Sequence, residues 1–360
     1  MSRMSAACMS VIAVLSMARV SRGEELTRLS VHGYLSQAYA RSDGHQILGI
    51  GEDGTSDYRD LALQFRYQQS PRNVLIVQFS HERLGDSPVA KLKDDVEIDW
   101  AFYQRELTEK FSLKVGRIPI PLGIYNESRD AGTTFPFYRP ATGVYGEGQY
   151  SNETVEGAVL SASIPAFGSW SFDADLYYGE WDFVQEDFET RADVDDAVGG
   201  QLWINTPIVG LRFGAGHYRA DVSNLLFRPP GTVAVYSGTH ASIEADFDRW
   251  SVAAEALEVD GDIGAYRSAY VQAGAQVHPR WSIHARVEQS RLYLAAGRVV
   301  VNRQIDRDYA LAVNYAVAPA VVVKVEGHSN SGLLVEDVPV TITDPPYRTR
   351  YAILSLAASF

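Results

Sequence analysis

Three features are scarce in this sequence, and each one excludes a class of protein. Cys8 is the single cysteine among 360 residues, which argues against a disulfide framework and against a catalytic thiol. No run of about 18 apolar residues occurs, as a transmembrane helix would need. Basic residues are also outnumbered, with 32 Lys and Arg against 45 Asp and Glu and a net charge of −13. This balance argues against a protein that binds nucleic acid.

The N-terminus has the pattern of a secretory signal peptide. Arg3 precedes an apolar stretch from Ala6 to Ala18, and we predict that residues 1–23 are removed, leaving residues 24–360 as a single domain. This removal takes away three arginines and no acid, so the mature chain has a net charge of −16. Cys8 leaves with the same segment. We therefore expect an exported protein without cysteine.

Apolar residues recur at every second position in sixteen stretches, the pattern of β-strands with two different faces. At the C-terminus, Leu354, Leu356 and Phe360 share one face, and Ser355 and Ser359 share the other. A chain that ends in an exposed aromatic residue indicates a final strand whose outer face contacts an apolar medium. A closed β-barrel is the kind of sheet that can span a membrane, because it has no unpaired edge.

The connections between these stretches predict which end of a barrel they occupy. Seven are short turns rich in Pro, Asn and Asp. The other eight are predicted to be long polar loops, near residues 42–57, 84–94, 117–152, 180–195, 220–237, 259–265, 293–305 and 329–347. Short turns at one end, long loops at the other and an even strand number are typical of membrane barrels. The sequence therefore predicts an all-β fold, a transmembrane antiparallel β-barrel of 16 strands.

A barrel of this size has a lumen that side chains cannot fill, so it holds water. Charged residues recur on the faces opposite the apolar ones, and we predict that they line this lumen and stay solvated: Arg66, Asp99, Arg105, Asp173, Asp175, Glu244, Arg286 and Lys324. On the fourth strand, this assignment places Trp100 and Phe102 outward and Tyr103 inward. Acids outnumber bases on the inner faces, which favours cations over anions.

The longest connection contains the most specific motif of the chain. It reads Gly116-Arg117-Ile118-Pro119-Ile120-Pro121-Leu122-Gly123-Ile124-Tyr125-Asn126-Glu127-Ser128-Arg129-Asp130. With the opening His32-Gly33-Tyr34-Leu35-Ser36-Gln37 and the terminal Phe360, it resembles the porin family of Gram-negative outer membranes. The resemblance implies a loop that folds into the barrel after the fifth strand and narrows it. It also implies a homotrimer in the bacterial outer membrane.

Charged residues in and beside this loop are the candidates for the narrowest part of the pore. We predict that they line the constriction and set its selectivity: Arg117, Glu127, Arg129, Asp130, Arg139 and Glu147. The alternative is an ion-pair network that pins the loop to the barrel wall, and both roles can coexist. The twelfth strand, with small outward residues from Ala269 to Val277, is the candidate contact between subunits.

The predicted function is a water-filled channel for passive diffusion of small hydrophilic solutes and ions, in contact with outer-membrane lipid or lipopolysaccharide. We expect no enzymatic activity, no cofactor and no metal site. A dinucleotide-like Gly49–Gly54 string lies in a loop without the required strand–turn–helix unit. Two alternatives remain: a barrel enzyme such as a lipid hydrolase with a Ser–His pair, and a receptor or adhesin that binds through its loops.

Overall fold

The computed structural model describes residues 28–88, 96–146, 153–185, 190–226, 228–262, 264–296 and 299–360. The predicted signal peptide and Glu147 lie outside these residues. The strands are β1 Leu29–Asp43, β2 Thr55–Ser70, β3 Asn73–Leu84, β4 Glu97–Glu106, β5 Phe111–Pro119, β6 Thr154–Pro165, β7 Ser171–Val184, β8 Arg191–Asn205, β9 Leu211–Ser223, β10 Ala234–Phe247, β11 Trp250–Gly261, β12 Gly264–His278, β13 Trp281–Ala296, β14 Val299–Ala318, β15 Val321–Gly332 and β16 Tyr347–Ser359. No helix in the described part of the chain is long and apolar enough to cross a membrane.

The sixteen strands form one closed antiparallel barrel in sequence order, because β1 pairs with β16. Phe360 completes this seam, since its backbone N–H and C=O both bond to Gly33, at 3.0 and 3.1 Å. The Phe360 ring fills the place of a Gly33 side chain, with Cε1 2.2 Å from the ideal Cβ position. Gly33 therefore has to lack a side chain. The closed sheet confirms the predicted fold and leaves no unpaired edge.

The outer face of the barrel is a band of exposed apolar side chains. Leu176, Leu311 and Leu354 are 63%, 65% and 51% exposed. On the inner face, polar residues such as Gln78 and Ser242 are buried instead. This inversion of the usual soluble pattern is what a barrel surrounded by lipid requires.

The connections are short at one end of the barrel and longer at the other, with two exceptions to the prediction. The prediction of long loops near 259–265 and 293–305 is wrong. In the structure β11 ends at Gly261 and β12 begins at Gly264, and β13 ends at Ala296 and β14 begins at Val299. Polar residues there continue the ladder, as Asn302 does opposite Tyr293. Polar side chains have a small desolvation cost in the part of a strand that extends beyond the apolar core of the membrane.

A β-bulge at Asp99 changes the two faces of β4. Ile98 lies opposite Phe79 of β3, but Trp100 lies opposite Gln78, the next residue along. Asp99 is therefore the extra residue of a bulge, which exchanges the inside and the outside of the strand beyond it.

The remainder of β4 consequently faces opposite to the prediction. Trp100 and Phe102 face inward and are buried, whereas Tyr103 is exposed on the outer face. The predicted orientations of these three residues are wrong. Arg105 shares the face of Tyr103 and lies opposite Asn73, so its predicted place on the lumen wall is wrong for the same reason.

Candidate functional site

The connection between β5 and β6 folds into the barrel. We call its residues 120–146 the constriction loop; it contains a 3₁₀ turn, Asn126–Ser128, and a one-turn helix α1, Thr142–Tyr145. Its apolar side chains pack against strands from both sides of the barrel. The buried cluster joins Ile120, Leu122, Ala141, Val144 and Tyr145 of the loop to Val74, Ile76, Trp100, Phe102, Val155, Val159, Tyr177, Ala253, Leu257, Val259 and Tyr270 of the wall. The loop therefore crosses the lumen.

Basic and amide side chains of the wall hold the backbone carbonyls of this loop. The Lys324 ammonium donates to the Phe135 and Phe137 carbonyls, at 2.7 and 2.6 Å. Asn314 donates to the Pro136 carbonyl at 2.9 Å, and Arg286 donates to the Arg139 carbonyl at 3.0 Å. Loop carbonyls that have left water thus find partners on β13, β14 and β15.

Acidic side chains of the wall hold the N–H groups of the same loop. Glu255 accepts from the Ile124 N–H at 2.9 Å and from the Tyr145 hydroxyl. Glu326 accepts from the Tyr138 N–H at 2.8 Å, and Glu288 accepts from the Gly143 N–H. The loop therefore has a single well-defined path, because charged groups of both signs match its donors and acceptors.

Arg129 and Asp130, two predicted constriction residues, lie in this network. Arg129 donates to the Tyr145 carbonyl at 2.7 Å, and its Nε is 3.7 Å from Glu153 Oε2. Asp130 accepts from the Gln78 amide at 2.6 Å, and the same amide donates to Asp99 at 2.8 Å. Asp130 thus joins the loop to β3, Arg129 joins two parts of the loop to each other and to Glu153, and both residues line the cavity beside the loop.

The other predicted constriction residues divide between the wall and the open lumen. Arg139 forms an ion pair with Glu82 of β3. Arg117 Nη1 lies 3.7 Å from Glu156 Oε1, and both side chains are well exposed.

Glu127 Oε1 lies 3.5 Å from the Lys114 ammonium, and the Glu127 side chain is 59% exposed. Glu147 lies outside the described residues. Of the predicted set, Arg129, Asp130 and Arg139 form contacts that hold the loop in place. Arg117 and Glu127 have side chains that remain exposed to water.

Four of the predicted lumen-wall residues face the lumen. Ser163 and Ser161 donate to Asp173 and Asp175, at 2.6 and 2.5 Å. Glu244 forms an ion pair with Arg212 of β9. Arg66 lies opposite the inward-facing Ile76.

The prediction that the charged wall residues stay solvated is wrong for three of them. Asp99, Arg286 and Lys324 are 8%, 6% and 1% exposed. Arg286 and Lys324 lie beneath the constriction loop, where its carbonyls replace water as hydrogen-bond partners. Lys324 also lies 4.8 Å from the Phe135 ring centroid. The charged groups of Arg286 and Lys324 therefore position the loop.

A cavity of about 650 Å³ lies between the constriction loop and the wall at the long-loop end. Its acidic lining is Asp60, Glu82, Glu97, Asp99, Asp130, Glu153, Glu156, Glu180, Asp182, Asp193 and Asp195, and its arginines are Arg117, Arg129, Arg139 and Arg191. A second cavity of about 320 Å³ lies at the short-turn end, bordered by Tyr125, Glu244 and Arg280. Charged, water-accessible space is thus present on both sides of the loop.

Three carboxylates of the first cavity come unusually close together. Oxygen atoms of Asp99, Asp130 and Glu153 all lie within 4.8 Å of one another, a spacing at which oxygen ligands can share a divalent cation. The Gln78 amide bonds to two of them, and Arg129 lies beside the third. The arrangement is a cluster of three carboxyl groups next to the loop.

The charge of Asp130 is expected to make ion selectivity depend on pH. Burial, with the nearby charges of Glu153 and Asp60, raises the pKa of Asp130 from 3.8 to about 8. Raising the pH through about 8 should add a negative charge beside the constriction loop, which attracts cations and repels anions. Reversal potentials in a salt gradient between pH 6 and pH 9 measure this change.

Asp130→Asn should remove this step, and Glu127→Gln on the same loop should leave it in place. The folded state holds a proton that the unfolded state releases above pH 3.8. Asp130 should therefore lower the stability of the barrel as pH rises from about 4 to about 8. A reversal potential that is the same at every pH in the wild-type barrel would contradict the prediction.

A serine–histidine pair bears on the enzyme alternative. Ser282 Oγ and His284 Nε2 lie 2.8 Å apart beside the second cavity. His284 Nδ1 has no hydrogen-bond partner within the described ranges. A hydrolytic triad needs an acid at that nitrogen to orient the ring. The described residues thus supply the serine and the histidine of a triad but no acid bonded to Nδ1.

The acids that hold the loop, Glu255, Glu288 and Glu326, are not among the residues predicted from the sequence. All three occupy inward positions on β11, β13 and β15 and are nearly inaccessible to water. The alternation of the strands indicates that Glu288 and Glu326 face inward. It does not indicate the partners of the three acids, because each partner is a backbone N–H more than 100 positions away.

Neither a protein-family model nor a curated protein matches the chain. Solved structures do match it. OmpF of Salmonella typhi, in complex with daunomycin, aligns with a TM-score of 0.63 and 14% identity over 92% of this chain and 97% of that one. An anion-selective porin from Comamonas acidovorans gives 0.59 and 12%, over 92% and 99%. OmpT of Vibrio cholerae in its trimer form gives 0.58 and 13%, over 92% and 99%. The chain therefore has the sixteen-stranded fold of porin-like outer-membrane barrels.

Proposed function

We propose that this protein is a porin, which forms a water-filled channel for passive diffusion of small hydrophilic solutes and ions. The observation that carries the proposal is the pair of charged cavities on the two sides of a loop that only partly occupies the barrel. A sixteen-stranded barrel is too wide for side chains to close. A loop with a fixed path then sets the size limit, and the charges beside it select among solutes.

We further propose that the channel prefers cations. Eleven carboxylates and four arginines of the described residues line the cavity at the long-loop end. Such an excess raises the local concentration of cations and lowers that of anions. The anion-selective porin of similar fold shares 12% identity with this chain, a level at which the charges of the lumen are free to differ.

A planar bilayer containing the purified mature protein tests both proposals. Stepwise single-channel currents are expected, with a reversal potential in a salt gradient whose sign indicates cation flow. Absence of conductance from protein shown to be folded would mean a closed barrel and would contradict the porin proposal. Stepwise currents with the opposite sign would contradict the cation preference alone.

We propose a homotrimer as the assembly. The structural neighbour from Vibrio cholerae is described in a trimer form. The outward face of β12 offers small and β-branched residues, with Val271 and Val277 56% and 60% exposed, and small apolar side chains allow close contact between subunits. Native mass spectrometry of the detergent-solubilised protein should give three copies, and a monomer would contradict the assignment.

A barrel hydrolase is the second candidate, and the Ser282–His284 pair is the observation that favours it. Ester and phospholipid hydrolysis by the folded barrel, compared between the wild type and Ser282→Ala, separates the two functions. Hydrolysis that disappears in the variant supports an enzyme. Channel currents without hydrolysis support the porin.

A further inference from the structure

The glycine-rich string Gly49–Gly54 belongs to a loop whose tip is buried. We call residues 44–54, between β1 and β2, the first loop. Its tip is a two-residue hairpin, in which the backbones of Ile47 and Ile50 bond to each other in both directions, at 3.2 and 2.9 Å. The side chains of these two isoleucines are 1% and 0% exposed. The tip of the first loop is therefore packed into the protein and does not extend into the medium.

The first loop covers one sector of the inner wall. Its two isoleucines belong to a buried cluster with Tyr58 of β2, Tyr351 of β16 and Tyr138 of the constriction loop. The ring centroids of Tyr58 and Tyr138 are 5.0 Å apart. Tyr138 also lines the cavity of about 650 Å³ at the long-loop end. The first loop thus occupies the lumen beside β1, β2 and β16, next to the open cavity.

One carboxylate holds this loop in place. Glu336, in the connection between β15 and β16, accepts hydrogen bonds from the Gly49 N–H at 2.7 Å and from the Gln46 amide at 3.2 Å. Its other oxygen accepts from the hydroxyl of Ser87, in the connection after β3, at 2.8 Å. The Glu336 N–H donates to the Gln46 carbonyl at 2.9 Å. Three connections therefore meet at a single side chain, through hydrogen bonds that its charge strengthens.

The backbone of the tip fits closely against the connection after β3. Leu48 and Gly49 have φ angles of +52° and +74°, the left-handed conformation of a tight hairpin turn. A Cβ on Gly49 would overlap the Leu84 carbonyl oxygen, and the Gly49 carbonyl accepts from the Asp86 N–H at 3.3 Å. Glycine permits both the conformation and the close approach. The string that matches a dinucleotide motif thus has a structural role in this loop.

We propose that the first loop is a second constriction of the channel and that Glu336 is the positioning residue that sets its width. The inference rests on the proposed porin function. A barrel of this size conducts water wherever loops and side chains leave space, so a loop that fills one sector of the lumen lowers the size of the solutes that can enter. The tip consists of isoleucine, leucine and glycine and has no charge. Its main effect is therefore on solute size.

Swelling of liposomes that contain the purified mature protein tests the second constriction. Uncharged sugars of increasing size are used, because their entry reports width independently of charge. Glu336→Ala removes the carboxylate and Gly49→Ala removes the close fit, and each should raise the ratio of trisaccharide to monosaccharide swelling rates about threefold, since the tip then leaves the lumen. Glu336→Gln retains an acceptor for the Gly49 N–H and should give an intermediate ratio. The matched control is Asp337→Asn, which changes the neighbouring carboxylate, 3.2 Å from His45 Nδ1 at the surface, and should leave the ratio unaltered.

Hydrogen exchange measures the position of the first loop without requiring a channel. The Ile47 and Ile50 amides should exchange about thirtyfold faster in Glu336→Ala, because three side-chain hydrogen bonds are lost. A disulfide provides the reverse test, since the mature chain is predicted to have no cysteine. Ile47→Cys and Val335→Cys join two residues that face each other in a β-bridge. Added to Glu336→Ala, the pair should restore the wild-type sugar ratio when oxidised and lose it when reduced.

The outcomes separate this inference from the porin proposal. Equal sugar ratios and equal exchange rates in the wild type and Glu336→Ala overturn the inference alone. Faster exchange with an unchanged sugar ratio also overturns it, since the loop then moves without widening the path. Wild-type liposomes that admit no sugar overturn the porin proposal, and the second constriction with it.

Discussion

Lys324→Ala is expected to lower the free energy of unfolding by about 2 kcal/mol and to loosen the constriction loop. The substitution leaves the Phe135 and Phe137 carbonyls without their shared donor, and each unsatisfied buried acceptor costs about 1–3 kcal/mol. Relief of the cost of burying the ammonium offsets part of this loss. Urea unfolding of the barrel in detergent gives the stability, and single-channel recording should show noisier and larger currents.

Asn314→Ala is the matched control for this variant. Asn314 donates to the intervening Pro136 carbonyl at 2.9 Å, but its amide is neutral and makes one bond to the loop. Its loss should cost about 1 kcal/mol and leave the open-channel current close to that of the wild type. Identical stability and identical current noise in Lys324→Ala and the wild type would show that the loop is held elsewhere.

Arg129→Ala is expected to raise the cation-to-anion permeability ratio of the proposed channel by roughly fivefold. Arg129 lies 3.7 Å from Glu153 and beside Asp130 in the cavity lining. Removing its charge leaves the Glu153 carboxylate less compensated, which is worth about 1 kcal/mol for a cation at about 8 Å in partly screened surroundings. The reversal potential in a salt gradient measures the ratio directly.

Arg129→Lys separates the charge from the hydrogen bonds in this prediction. Lysine keeps the positive charge but cannot reach the Tyr145 carbonyl and Glu153 with separate donors, as arginine does. The selectivity of this variant should stay near that of the wild type, and its current should become noisier. Unchanged currents and reversal potentials in Arg129→Ala would refute a role for Arg129 at the constriction.

Strand order and strand number were predictable because they depend on a local rule. Successive side chains of a strand point to opposite faces, so a sheet between lipid and water produces an alternation that any stretch of about ten residues displays. The terminal strand shows this well, since Leu354 faces outward and Ile353, its neighbour in sequence, is buried inside.

The same rule failed where the backbone departed from regular pairing. One extra residue at Asp99 reversed the faces of Trp100, Tyr103 and Arg105. The sequence of β4 does not indicate this bulge, because its apolar residues alternate without interruption along the whole strand. The bulge places two aromatic side chains under the constriction loop, where they complete its packing.

The sequence by itself determined that this chain is a sixteen-stranded barrel with an apolar exterior. Every strand has lipid on one face and water on the other, so apolar and polar residues alternate along it. Only the tertiary structure decided what each inward charge does. Lys324 and Glu244 are equivalent in the sequence pattern, yet the first is buried under the constriction loop and the second faces the lumen. The physical reason is that the loop is distant in sequence from the strands it covers. Its path across the barrel determines which inward side chains it buries, and that path cannot be read from the pattern of any single strand.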